Sequence, residues 1–229
     1  MINSPFQIKE IKRQKRKTIS AVANADGTIT IKAPKFLSEL EIEKFIWKNK
    51  IRIESILKRI KLLKPLEICE GAKFYYLGEE FELVISSEIK HPFLFNGNKF
   101  LLSSKKLSKA KELLIKFYKT ETLKIVMEIL DELSKKKYFD IKSIKIRSGK
   151  NVLGSCNHRK KSLNFSWRLA LIPPWVIEYV VVHELVHLEV PNHSKEFWLK
   201  VSNLFPDYRK ANKWIQQNWH KIQIASNFQ

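Results

Sequence analysis

The sequence predicts an α+β protein, and three observations predict it. Strand-like and helix-like segments run in the order strands, helix, strands, helix, strands, helices, without strict βαβ alternation. No repeat and no long linker interrupts the 229 residues. Apolar residues make up 44% of the chain, enough for a sizeable core in one large domain or two small ones.

The elements follow from local signals. Residues 7–33 read as strands: Thr18, Ile19, Ala21 and Val22 lead into Asn24-Ala25-Asp26-Gly27, a hairpin turn, and Thr28 to Ile31 continue beyond it. Ser38 begins a helix with Glu41 at the capping-box position, and Ile42, Phe45, Ile46, Ile53, Ile56, Leu57 and Ile60 recur at helical spacing. Strand signals return from Lys73 to Ser103, with turns at Gly78-Glu79 and Asn96-Gly97-Asn98. Lys106 to Lys137 reads as a long amphipathic helix carrying Leu113, Leu114, Phe117, Leu123, Val126, Ile129, Leu130 and Leu133, with a junction at Thr120-Glu121-Thr122. Further strands are expected at Ile141–Arg147 and Ser162–Trp167. Pro173-Pro174 suit a helix start, where a missing N–H needs no partner. From Trp175 to Glu189 the pattern is apolar with few breaks; five valines argue mildly against helix, and the proline start and the length argue for it. A helix from Ser194 to about Leu204 and a last one after Pro206 complete the chain. The boundary is expected near Ser103-Ser104, between a mostly β accessory region with one helix (1–103) and a metal-binding domain (104–229).

The chemistry is concentrated in His183-Glu184-Leu185-Val186-His187, followed by His193. Two His four apart on a helix lie roughly 40° apart around its axis, so both imidazoles leave one face. Glu184, beside the first of them, is placed to act as a general base. On a continuing helix His193 would lie roughly 240° around from His187 and about 9 Å further along, far from a shared metal. Pro191 prevents that: it has no N–H for the carbonyl of His187, and it pushes Val190 away from helical angles. Asn192 tolerates a left-handed turn. The chain can therefore reverse at Pro191-Asn192 and return His193 to the face of His183 and His187, with Ser194 as the N-cap of the next helix. Three protein ligands leave an open position, the pattern of a catalytic rather than a structural zinc site, so one Zn²⁺ ion is expected.

The remaining composition bounds the setting. The net charge is +20, with six basic residues and one acid from Lys9 to Lys17 and eight basic residues and one acid from Asp140 to Arg168. Such clusters attract polyanions, so nucleic acid is a possible partner, and the second cluster is placed to line a substrate groove. The two cysteines, Cys69 and Cys156, suggest a reducing compartment. The longest apolar run, Leu169 to Val182, is broken by two prolines and Glu178, which excludes a membrane span. With a polar N-terminus, a cytoplasmic location is expected.

The chain resembles the YgjP-like metallopeptidase family and is distantly similar to SprT-like and Wss-type zinc proteases. The resemblance rests on Arg16-Lys17-Thr18-Ile19 with Asp26-Gly27 and Ala33-Pro34, and on Tyr75-Tyr76-Leu77-Gly78-Glu79. Gly154-Ser155-Cys156 and Asn164 to Leu169 continue it. Its most specific part is His183 to His187 with His193-Ser194 and Phe197-Trp198, and Pro206-Asp207-Tyr208 with Trp214 resembles the family's tail. It implies a zincin-like domain with His183, His187 and His193 as ligands and Glu184 as base. The family often has Trp before Gly-Ser-Cys, where this chain has Leu153; metzincins have Gly three residues after the second His, where this chain has Val190.

The sequence thus points to a zinc-dependent peptidase acting on a protein or peptide, which would lie extended along an edge strand with Ser162–Trp167 as its rim. Two other readings stay open: a DNA-associated protease acting on nucleic-acid-bound proteins, and a non-catalytic basic metal-binding module. Phe197 and Trp198 are expected as core anchors. Cys156 and His158 lack further partners for a second metal. Tyr179, Glu178, Glu189 and backbone carbonyls compete as acceptors for the ligand imidazoles, and Tyr208, Arg209 and His220 as oxyanion stabilisers.

Overall fold

The computed structural model describes residues 2–24, 26–61, 66–135, 137–149 and 152–228, without the side chains of residues 59–61, 220 and 224. The chain forms two compact units, Met1–Lys64 and Pro65–Gln229.

In the first unit, strands β1 (Ile8–Gln14), β2 (Ser20–Ala23) and β3 (Ile29–Pro34) form a sheet in the order β1-β3-β2, with β3 parallel to β1 and antiparallel to β2. Of the expected hairpin turn, Ala25 lies outside the described residues. Gly27 adopts a φ of 81°, and the Asp26 carboxylate accepts from Thr28, so the turn chemistry is as the residues require. Ser38 and Glu41 form the capping box of helix α1 (Glu39–Lys48). The single helix expected here is two: Asn49, whose side chain bonds the Phe45 carbonyl, separates α1 from α2 (Lys50–Lys61). Ile29, Ile31 and Ala33 of the central strand pack on Ile42, Ile46 and Ile53, closing a small core; the side chain of Ile60 lies outside the described residues.

The second unit begins with strands β4 (Lys73–Tyr76), β5 (Glu79–Ser86), β6 (Phe93–Phe95) and β7 (Phe100–Ser103), ordered β4-β5-β7-β6. Helix α3 (Ala110–Ser134) runs unbroken through Thr120-Glu121-Thr122. These residues anchor the helix rather than divide it: the buried Thr122 hydroxyl donates to the Trp167 carbonyl at 3.0 Å, and Glu121 accepts from Tyr76 at 2.6 Å. The expected boundary near Ser103-Ser104 falls inside this unit, because Phe74, Leu83, Phe100 and Leu102 of the strands share one core with Leu114 and Tyr118 of α3.

A second sheet contains β8 (Ser143–Arg147), β9 (Gly154–Asn157) and β10 (Ser162–Ser166), in the order β8-β10-β9. The segment expected as the rim is therefore the centre of its sheet, bonded on both sides, and β8 and β9 are the edges. A buried 3-10 turn (Trp167–Leu171) leads to helix α4 (Pro174–Val186), followed by α5 (Lys195–Leu204) and α6 (Tyr208–Ala225). Among the described residues no helix is long and apolar enough to cross a membrane.

Candidate metal centre

Helix α4 is buried on most sides, and its start is fixed by Pro174 at its first position. The turn before it is tied to the first sheet of this unit. A side chain on Gly78, at φ 91°, would put a Cβ 2.8 Å from Pro173, so glycine is required there by conformation and by space. The helix ends at Val186, and tight turns carry the chain on as far as Val190, whose N–H donates to the Val186 carbonyl at 2.9 Å. Pro191 then ends the ladder. The Asn192 side chain accepts from Ser194 N at 3.3 Å, and Ser194 caps α5 by accepting from Phe197 N.

This reversal brings the third imidazole home. His193 Nε2 lies 3.1 Å from His183 Nε2 and 3.2 Å from His187 Nε2. The three His are the metal-capable cluster among the described residues. Phe197, with no exposed surface, packs against all three rings at centroid distances of 4.5–4.9 Å, and Trp198 stacks on His193 at 5.7 Å. Both are anchors, and what they anchor is the imidazole cluster.

The outer nitrogens choose among the acceptors that the sequence left open. His187 Nδ1 lies 3.0 Å from the Val190 carbonyl; a carbonyl only accepts, so Nδ1 carries the proton and the Nε2 lone pair faces the other imidazoles. The Tyr179 hydroxyl lies 3.5 Å from His183 Nδ1. Glu189 is engaged elsewhere, with Lys137 at 2.6 Å and Lys200 at 3.0 Å. Burial, reinforced by the charges of His187 and His193, pushes His183 down to about 4; burial also lowers His187. Both are therefore neutral near pH 7, the state in which imidazole binds a metal.

Glu184 is 6% exposed, and burial pushes its carboxyl up to about 8. Its neighbour is Gly154 at the start of β9. A Cβ on Gly154 would stand 2.7 Å from Glu184 Cγ and 2.7 Å from Oε1. Gly154 is not among the positive-φ residues, so contact with Glu184, not backbone conformation, demands glycine here.

A hollow of about 320 Å³ opens over the imidazoles, lined on its β9 side by Gly154, Ser155 and Cys156, with His158 beyond. Cys156 is half-buried, and burial together with the nearby Glu184 pushes its thiol up to about 11. Among the described residues no Lys or Arg lines the hollow. Four members of the cluster from Asp140 to Arg168 have local partners: Lys142 pairs with Asp140, Arg147 donates to Asn164, Lys161 donates to the Leu188 carbonyl, and the buried Arg168 bonds Ser226 and Gly149; Lys150 lies outside the described residues. Tyr208 stacks on Trp198 and accepts from Arg209; neither lines the hollow. The side chain of His220 lies outside the described residues.

A family model for the YgjP-like metallopeptidase domain matches residues 17–218. Among solved structures, the chain is similar to the metallopeptidase zymogen abylysin of Pyrococcus abyssi, at 18% identity over 42% of this chain and 93% of that one, with a TM-score of 0.35. No curated protein matches.

Proposed function

The chain belongs to the YgjP-like metallopeptidase family, and from that premise we propose that it hydrolyses peptide bonds with one zinc ion held by His183, His187 and His193 and with Glu184 as general base. The observation that carries this reading is the convergence of three Nε2 atoms, with separations of 3.1 and 3.2 Å. Ligands about 2.05 Å from a tetrahedral zinc would stand about 3.3 Å apart, so the donors fit the ion, and an all-imidazole set with an open position suits zinc. When bound, zinc supplies a Lewis acid for the scissile carbonyl and makes water acidic enough to attack near neutrality.

The protein supplies the rest. The carboxylate of Glu184 takes the proton of the attacking water and delivers it to the leaving amide nitrogen. Burial alone keeps this carboxyl protonated near neutrality, whereas a dication on the three imidazoles favours the carboxylate. Gly154, having no Cβ, leaves that carboxylate the space it occupies. The substrate backbone adds to the outer edge of β9, which passes alongside His183 and Glu184, rather than to β10.

Glu184→Gln tests the reading. It preserves the size of the side chain and removes the base, so bound zinc measured by elemental analysis stays at one per chain, while peptide hydrolysis falls by about 10²–10⁴-fold. Equal turnover by wild type and variant would leave a non-catalytic metal-binding module. The charge of +20 supports a second reading, in which nucleic acid recruits the same peptidase to its protein substrates. In that case DNA stimulates cleavage and added salt abolishes the stimulation; cleavage indifferent to DNA removes it.

A further inference from the structure

We infer that a second hollow, beside the metal centre and walled by Ile215 and Trp219, is a specificity subsite that takes a large apolar side chain next to the scissile bond. This rests on the peptidase reading above and adds a substrate class to it: peptides with a bulky aliphatic or aromatic residue flanking the cleaved bond.

The two hollows adjoin. They share Gly154, His183 and Glu184, the residues that surround the proposed base. The second has a volume of about 320 Å³, within the usual roughly 300–1,000 Å³ of small-ligand sites. Helix α6 builds its outer wall: Asn212, Ile215 and Trp219 stand at i, i+3 and i+7, on one face. Tyr179 and Val180 of α4 and Val152 and Leu153 before β9 complete it. Among the described residues no Lys or Arg lines this hollow, and Glu184 is the only acid that does. Ile215 and Trp219 are each partly exposed rather than sealed in the core, and Val152 is 55% exposed. Apolar surface of this kind, directly beside a reaction centre, is stabilised by covering it with an apolar group.

Position follows from the strand. The first hollow runs along β9 from Gly154 past Cys156; the second lies at the Gly154 end, against residues 152 and 153. An extended peptide on the edge of β9 passes over the imidazoles and reaches the second hollow within one residue of its scissile bond. The direction of the peptide decides whether that residue precedes or follows the bond.

The test uses the zinc-loaded full chain and a peptide library randomised on both sides of the cleaved bond. Leu, Ile, Phe or Met should be enriched at one flanking position about 10-fold or more over Asp, Lys and Gly. Val152→Asp, at an exposed position, and Trp219→Ala should each cut the ratio of kcat/KM for a leucine peptide over its glycine counterpart about 10-fold, with zinc content unchanged. Cleavage with flat preferences at both positions, or a ratio unmoved by both variants, overturns the subsite and leaves the peptidase standing. Absence of any cleavage by the wild type instead overturns the peptidase. The hollow is then read by calorimetry, with leucyl and glycyl hydroxamates binding to the zinc-loaded chain. A leucyl analogue about 10-fold tighter upholds the apolar site, and equal affinities overturn it.

Discussion

Gly154 shows how one missing side chain can set catalytic geometry. Its Cβ would meet Glu184 at 2.7 Å, and Glu184 is too buried to step aside freely. Gly154→Ala should therefore displace the carboxylate without touching the imidazoles. A misplacement of about 1 Å can cost about 10²-fold in rate, so kcat should fall 10- to 100-fold while zinc content and KM stay near wild type; steady-state kinetics and metal analysis check this together. Cys156 reports the same contact differently. With its thiol pushed up to about 11, little thiolate exists at pH 8, and alkylation there should be far slower than for a free cysteine, as timed mass spectrometry would show. The sequence presents Gly154 only as a glycine before Ser155. That it abuts the base depends on two segments 30 residues apart meeting in space.

At the scale of elements, the decisive device is the break between α4 and α5. Val190 accepts from His187, Pro191 ends the hydrogen-bond ladder, and Ser194 starts the next helix one residue after the third ligand. Removing the cap with Ser194→Ala should destabilise the start of α5 by about 1 kcal/mol. It should also weaken zinc binding, since His193 is held by that helix start; competition with a chromophoric chelator measures the change, and unchanged affinity would show that ring packing alone holds His193. This break was legible, because proline and a capping serine act locally. The edge strand β9 was not. Its four residues, Gly154-Ser155-Cys156-Asn157, carry none of the β-branched or aromatic types that mark strands, and it is a strand only because β10 pairs with it. Its partner β10, Ser162–Ser166, alternates Leu163 and Phe165 with polar residues, the pattern of a strand, but nothing local tells a central strand from an edge.

For the whole molecule, the two compact units have separate cores, and the three proposed ligands and the proposed base lie in Pro65–Gln229. Metal removal should therefore act on one unit. At free zinc 100-fold above its Kd, binding stabilises by about 2.7 kcal/mol, so chelation should lower the melting temperature of the second unit by several degrees and leave amide exchange in Ile29, Ile31 and Ile42 of the first unchanged. A uniform loss of protection would contradict this separation. By itself the sequence determined what depends on short spacing: the α+β class, the paired imidazoles one turn apart, the carboxyl beside them, the turn that returns His193, and the capping box at Ser38. Only the tertiary structure decided what depends on distant segments meeting. It joined the strands of residues 73–103 to the core of α3, placed β9 rather than β10 at an edge, gave Lys142, Arg147, Lys161 and Arg168 of the basic cluster local partners, and set α6 beside Glu184. The physical reason is range: helical periodicity, caps and prolines act within a few residues, whereas edges, walls and close approaches exist only once remote segments exclude water from the same space.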